Sequence, residues 1–317
     1  DAARMAMQDI SGVIRNPEIK EISPSLLAAI ADPANKTRDA LGALSETEFM
    51  HVIDAPSLGL LCPVLSRALR DRSAEIKRRS CAITGNITSM VDDPKLLVPY
   101  LQQLIPGLKE NILDAVPDVR LSSARALGTL SAGVGESETQ VRGVVPWLLD
   151  AVTADSSSME RSGAAQGISE LCRALGPNRT RSIFNQVMTA KGARRIGARE
   201  GLLWVLSFLP TSIGDQFGEY INHALPCVLE GLADSEDSVR EVAMRSGQVI
   251  VNTLGKTHTD SLLPALCEGL ESPKWRIRQS SILLLGDLLY LVGETRALGI
   301  GSSMGDDGEA TFGQNVT

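Results

Sequence analysis

Along most of the chain, apolar and small residues return at the three- and four-residue spacing of helices that bury one face. In Ser122-Ser123-Ala124-Arg125-Ala126-Leu127-Gly128, for example, small and apolar side chains share such a face. This pattern is divided at near-regular intervals by prolines in aliphatic contexts. Pro24, Pro63, Pro106, Pro146, Pro226 and Pro264 follow one another at 39, 43, 40, 80 and 38 residues, the longest gap being two periods with one proline missing. From Pro24 to Pro264 there are six steps averaging 40 residues.

Repeats of this length, built from helix pairs, belong to HEAT or armadillo arrays. The predicted fold is therefore all-α, a HEAT-repeat α-solenoid (an α-α superhelix) of about seven helix pairs with a partial pair before them. The boundaries fall at 22–57, 58–100, 101–141, 142–181, 182–221, 222–259 and 260–293. Residues 1–21 would be the second helix of an earlier repeat, cut from a longer polypeptide, and 294–317 a disordered Gly/Ser/acidic tail or loop. The fifth unit is irregular, lacking the proline and carrying Gly192, Gly197 and Gly201.

Each recurring residue has a physical reason. The prolines are expected in the first turn of the first helix, where a missing N–H costs nothing. Eight residues after Pro24, Pro63, Pro106 and Pro226 come Asp32, Asp71, Asp114 and Asp234, expected to cap the second helix of each pair. An aliphatic-basic pair follows about five residues later: Ile76-Lys77, Val119-Arg120, Val239-Arg240 and Ile277-Arg278. The acidic positions are expected to bond Arg38, Lys77, Arg120, Arg240 and Arg278 as a structural ladder fixing the stacking. Gly128, Gly255 and Gly293 are expected to close second helices in the left-handed conformation.

Composition narrows the function. Hydrophobic residues make up 43% and aromatics 3%, which suits close helix-on-helix packing. Five cysteines, Cys62, Cys81, Cys172, Cys227 and Cys267, form no CxxC pair and read as small core residues of a reduced, intracellular chain. The apolar run Ile282–Val292 is too short for a bilayer and contains Asp287, so no membrane association is expected. A net charge of −7 argues against a surface coated to hold nucleic acid, while leaving room for local basic patches.

Catalytic and metal chemistry find little support. His51, His223 and His258 are far apart, and none stands at metal-ligand spacing from Cys, Asp or Glu. Leu254-Gly255-Lys256-Thr257 looks like the end of a P-loop, but Ile250 stands where its first glycine belongs. No catalytic residue, metal ligand or cofactor is expected. The candidate binding residues are three basic groups: Arg67, Arg70, Arg72, Lys77, Arg78 and Arg79; Arg179, Arg181, Lys191, Arg194, Arg195 and Arg199; and Lys274, Trp275 and Arg276, where a ring could stack on a base. Reversing Arg194, Arg195 and Arg199 together is expected to weaken partner binding without unfolding the chain.

The string Ser157-Ser158-Met159-Glu160-Arg161-Ser162-Gly163-Ala164-Ala165-Gln166-Gly167 resembles a signature of the general-control translational activators. Leu97–Gly135, Ala224–Val251 and Leu262–Val292 resemble the same family, over about residues 55–295. The resemblance is to a central HEAT region that is itself similar to that of fungal translation elongation factor three. It implies a scaffold on the ribosome in translational control under amino-acid starvation. The partners it implies are the ribosome, an ABC-type ATPase, and the kinase of the initiation factor two alpha subunit, the last through segments outside residues 1–317. The alternative reading of the same architecture is a transport receptor or phosphatase scaffold.

Overall fold

A computed structural model describes residues 12–135 and 139–303 of the chain. They form seven helix pairs: α1 (Pro17–Ala31) with α2 (Pro33–Glu46), α3 (Ala55–Ala68) with α4 (Ala74–Met90), α5 (Leu101–Ile112) with α6 (Pro117–Val134), α7 (Val144–Thr153) with α8 (Ser158–Leu175), α9 (Pro177–Met188) with α10 (Ile196–Ile213), α11 (Ile221–Gly231) with α12 (Asp237–Leu254), and α13 (Thr259–Leu270) with α14 (Trp275–Ser303). Short 3-10 segments, Pro94–Tyr100 and Gly214–Tyr220, lead into α5 and α11. Among the described residues the only β-type pairing is an isolated bridge between Ile53 and Val91. The chain divides into two compact units, Asp1–Ile213 and Gly214–Thr317. The first contains the five pairs α1 to α10, the second the pairs α11 to α14.

Local sequence explains where helices start. Pro17, Pro33, Pro56, Pro94, Pro117 and Pro177 occupy first or second helical positions. Asn16 Oδ1 accepts from the Ile19 N–H at 2.7 Å, and Asp54 Oδ1 from the Ser57 N–H at 3.1 Å. Ser157 and Glu160 form a reciprocal capping box at the head of α8. The prolines that revealed the period are mostly elsewhere: Pro24, Pro63, Pro106, Pro226 and Pro264 lie inside first helices, and only Pro146 is in a first turn. Inside a helix, proline removes one hydrogen bond and its ring presses on the carbonyl four residues back, which bends the helix. The period therefore marks the middles of first helices. This is why α1 opens at Pro17, before the expected boundary at 22. At the other end α14 continues to Ser303, past the expected boundary at 294; residues 1–11 and 304–317 lie outside the described residues.

Helix ends differ from expectation too. Gly135 (φ 89°) and Gly176 (φ 82°) close α6 and α8 in the left-handed region. Gly255 follows α12 with φ −58°, and Gly128 and Gly293 lie inside helices. Gly128 is small for a packing reason: a Cβ there would lie 2.9 Å from the Glu170 carbonyl oxygen of α8. The second helices α6 and α8 approach closely there because this position carries no side chain. First helices contribute larger groups: Leu58, Leu61, Leu65, Leu101 and Leu108 are fully buried, each contributing about 2 kcal/mol by removal from water.

Candidate macromolecular interface

Three of the turns within helix pairs are built alike. Asp71, Asp114 and Asp234 each accept, through Oδ1, the N–H two residues on: Ser73 at 2.7 Å, Val116 at 2.9 Å and Glu236 at 3.0 Å. The aspartates thus fix the turn itself, one step before the helix they were expected to cap. The fourth residue of the second helix then reaches back. Arg120 Nη1 donates to the Asp114 and Ala115 carbonyls at 2.9 Å each, and Arg240 to those of Asp234 and Ser235 at 2.6 and 2.7 Å. Arg278 donates to Ser272 and Pro273 at 2.8 and 3.0 Å, and Arg199 to Ala193 and Arg194 at 3.0 and 2.9 Å.

The expected ladder is accordingly mostly a set of clamps within one turn. One rung between pairs is Lys77 Nζ to Asp114 Oδ2 at 2.6 Å. There burial raises and the Lys77 hydrogen bond lowers the Asp114 pKa, the net shift being downward. Asp32 departs from the pattern because it is itself the N-cap of α2; it accepts from Asn35 Nδ2 at 2.9 Å. The fourth residue of α2 is consequently Lys36, which pairs with Asp39 at 3.3 Å, and Arg38 falls out of register.

A buried network escaped sequence reasoning. Glu200 in α10 is 1% exposed, yet its Oε2 accepts from Arg161 Nη2 of α8 at 2.7 Å. Its Oε1 accepts from Trp204 Nε1 at 3.1 Å and from Ser158 Oγ. Arg161 Nη1 in turn donates to the Ser156 carbonyl. Burial raises the Glu200 pKa, but the hydrogen bonds from Ser158, Trp204 and Arg161 outweigh it and the net shift is downward. Around this pair the glycines give way: a Cβ on Gly163 would lie 2.0 Å from the Ile112 oxygen, one on Gly201 1.8 Å from the Val152 oxygen. The Arg-Ser-Gly-Ala-Ala-Gln-Gly string is thus explained by packing, with Arg161, Gly163 and Gly167 all turned to neighbouring helices. The signal that could have found the network is the glutamate at Glu200 inside an otherwise apolar helix.

The structure sorts the candidate basic residues. Around the α3–α4 turn, Arg78 and Arg79 both bond Glu75, at 3.0 and 2.6 Å, and Lys77 is held by Asp114. Arg67 donates to the Ile30 carbonyl at 3.2 Å, and Arg70 to the Ser66 carbonyl at 3.2 Å; Arg72 is exposed on the turn. The second group is divided. Arg179 and Arg181 stand at the head of α9, while Lys191, Arg194 and Arg195 lie in the turn beyond its other end, a helix length of about 18 Å away. Arg199 is half-buried and belongs to a clamp. Arg194 and Arg195 are exposed. Lys274, Trp275 and Arg276 are exposed together at the head of α14.

Among the described residues no three His, Cys, Asp or Glu side chains come together as a metal site. His51 Nδ1 is 2.7 Å from Glu18, and His258 Nδ1 is 2.9 Å from Thr257. Cys62, Cys81, Cys172 and Cys227 are buried and Cys267 is exposed, none of them in a disulfide; burial pushes Cys62 and Cys172 up to about 12 and Cys81 to about 11, far from thiolate chemistry. Gly255-Lys256-Thr257 follows the end of α12, with the Thr257 hydroxyl on Asp215 at 2.9 Å, which is no phosphate cradle. No described helix is long and apolar enough to cross a membrane.

Tandem helix pairs, turns clamped by an aspartate and a reaching cation, and second helices packed through glycines define an all-α HEAT-repeat protein. Two family descriptions match: "Elongation factor 3/GNC1 HEAT repeat" at residues 35–141 and "EF3 N-terminal HEAT repeat" at 161–295. The chain belongs to this elongation factor 3/GNC1 HEAT-repeat family. It is 40% identical over 317 residues to the human "Stalled ribosome sensor GCN1", covering 99% of the chain and 12% of that protein. It is 44% identical over 297 residues to the Dictyostelium discoideum "eIF-2-alpha kinase activator GCN1", covering 94% and 11%. The chain thus spans about an eighth of the length of these relatives. Among solved structures, that of Kap121p aligns with a TM-score of 0.55 and 12% identity, over 87% of this chain and 30% of that one; this likeness is one of fold.

Proposed function

We propose that the chain is a non-catalytic, ribosome-associated scaffold segment in translational control, working in the cytoplasm. The observation that carries this reading is similarity along 99% of its length to a protein named for sensing stalled ribosomes. The residues that reach solvent fit a scaffold: exposed cations on the turns within helix pairs. The activator names of the relatives extend the reading to the kinase of initiation factor two alpha, engaged through segments beyond residues 1–317, and the resemblance to the activator family extends it to an ABC-type ATPase. The role is one of positioning, which raises the effective concentration of partners held on one framework.

Sedimentation with purified ribosomes through a sucrose cushion tests it. Wild-type chain is expected in the ribosomal pellet at low salt and progressively less as salt rises. The double variant Arg194→Glu/Arg195→Glu is expected to pellet less at every salt concentration while its melting curve stays unchanged. Arg199 is left intact because its guanidinium holds the turn. Equal pelleting of both proteins would remove this turn from the interface; absence of pelleting, together with capture by nuclear-transport factors, would replace the reading with a transport receptor.

A further inference from the structure

The turn between α13 and α14 presents a large aromatic ring to solvent. Trp275, the first residue of α14, is 57% exposed, and the guanidinium of Arg276 lies 4.9 Å from the centre of its ring. The turn does not need this ring. The other second helices open with Pro33, Ala74, Pro117, Ser158, Ile196 and Asp237, and here Arg278 fixes the backbone by bonding the Ser272 and Pro273 carbonyls. The Lys274 N–H also donates to Ser272 Oγ at 3.3 Å. Lys274 and Arg276, unlike Lys77, Arg78 and Arg79, have no carboxylate paired with them among the described residues. A rigid turn therefore holds out an indole flanked by two cations.

We infer that Trp275 is a stacking platform for an unpaired base of single-stranded RNA, with Lys274 and Arg276 meeting the flanking phosphates. The inference rests on the ribosome reading for the source of the RNA. An aromatic face next to a guanidinium is the arrangement on which splayed bases stack. Only an unpaired base can offer its face to such a ring. Duplex is disfavoured by the surroundings: between Gly214 and Gly293 eleven acidic side chains stand against six basic ones, a field that repels two rows of phosphates. The same field repels an acidic protein segment, which would gain nothing from the ring.

The test is a titration of the chain with a fluorescein-labelled oligoadenylate, reading anisotropy and intrinsic tryptophan emission. Binding with quenched emission is expected. Trp275→Ala should weaken binding roughly tenfold, and Trp275→Phe should restore most of the loss, both variants melting like wild type since the ring is exposed. Lys274→Glu/Arg276→Glu should weaken binding and flatten its salt dependence. Unchanged affinity of Trp275→Ala, equal binding of a duplex RNA, or Trp275-dependent binding of labelled polyglutamate in place of RNA would overturn the inference. Its failure is separable from that of the ribosome reading. Chain that pellets with ribosomes yet ignores Trp275→Ala in the titration loses only the platform, whereas chain that binds oligoadenylate through Trp275 without pelleting loses only the ribosome.

Discussion

Glu200 carries its charge where almost no water reaches, and its partners set the consequence of changing it. Removing the carboxylate leaves the Arg161 guanidinium buried with only carbonyls to meet it. Glu200→Ala is therefore expected to destabilise the first unit by about 3 kcal/mol, read from urea unfolding. Because the folded pKa lies below the ordinary value of 4.5, the carboxylate stabilises the fold above that pH. This stabilisation fades as pH falls through the lowered value. Wild type should thus lose stability more steeply below about pH 4 than Glu200→Gln, which has no proton to take up. At this scale the sequence was informative about residue types and less so about bonds. The aspartates at Asp71, Asp114 and Asp234 and the cations that follow were visible as a pattern. That the arginines choose backbone carbonyls was not, since those acceptors exist at every position and only geometry selects two of them. Arg38 was misassigned because Asp32 adjoins its helix directly, shifting the register by two residues.

Among the helices, glycine has two opposite meanings. At Gly163 a methyl group would meet the Ile112 oxygen at 2.0 Å, and backbone cannot move aside without parting α8 from α5. Gly163→Ala is expected to cost at least about 2 kcal/mol through overpacking. Gly42, in α2, has nothing within 4 Å of the same methyl, and Gly42→Ala is expected to stabilise by about 0.5–1 kcal/mol through helix propensity. Paired denaturation curves check both; a loss at Gly42 or tolerance at Gly163 would contradict the packing described. The forty-residue period exposed the helix pairs because the proline signal is strong and regular. It could not locate the helix starts, because a proline that bends a helix and one that begins it look alike in sequence. Pro117, which does begin one, stands only eleven residues after Pro106, which bends one. Gly128 was misread for a related reason: a glycine that admits a neighbouring backbone and one that ends a helix differ only in φ.

At the scale of the whole chain, a net charge of −7 coexists with exposed cations gathered on turns. Such a molecule is kept off polyanions in general and admitted where its turns can reach, so its contacts should be few and sensitive to salt. The class of fold and the family were legible because repeats and the Arg-Ser-Gly-Ala-Ala-Gln-Gly string leave a linear trace. The candidate interface was legible only as three charge clusters. Folding then took Lys77, Arg78, Arg79 and Arg199 into internal bonds and separated Arg179 and Arg181 from Arg194 and Arg195. Among the exposed candidates, Arg72, Arg194, Arg195, Lys274, Trp275 and Arg276 are the ones the scaffold reading depends on.

Photo-crosslinking on purified ribosomes addresses that dependence most directly, with a benzophenone side chain placed in turn at positions 72, 195 and 275 and, for comparison, at the exposed Asp93 in the connector between α4 and α5. The account predicts salt-sensitive cross-links to defined ribosomal components from the three turns and few from position 93. Equal labelling from all four positions, or none above an unrelated acidic protein, would contradict it.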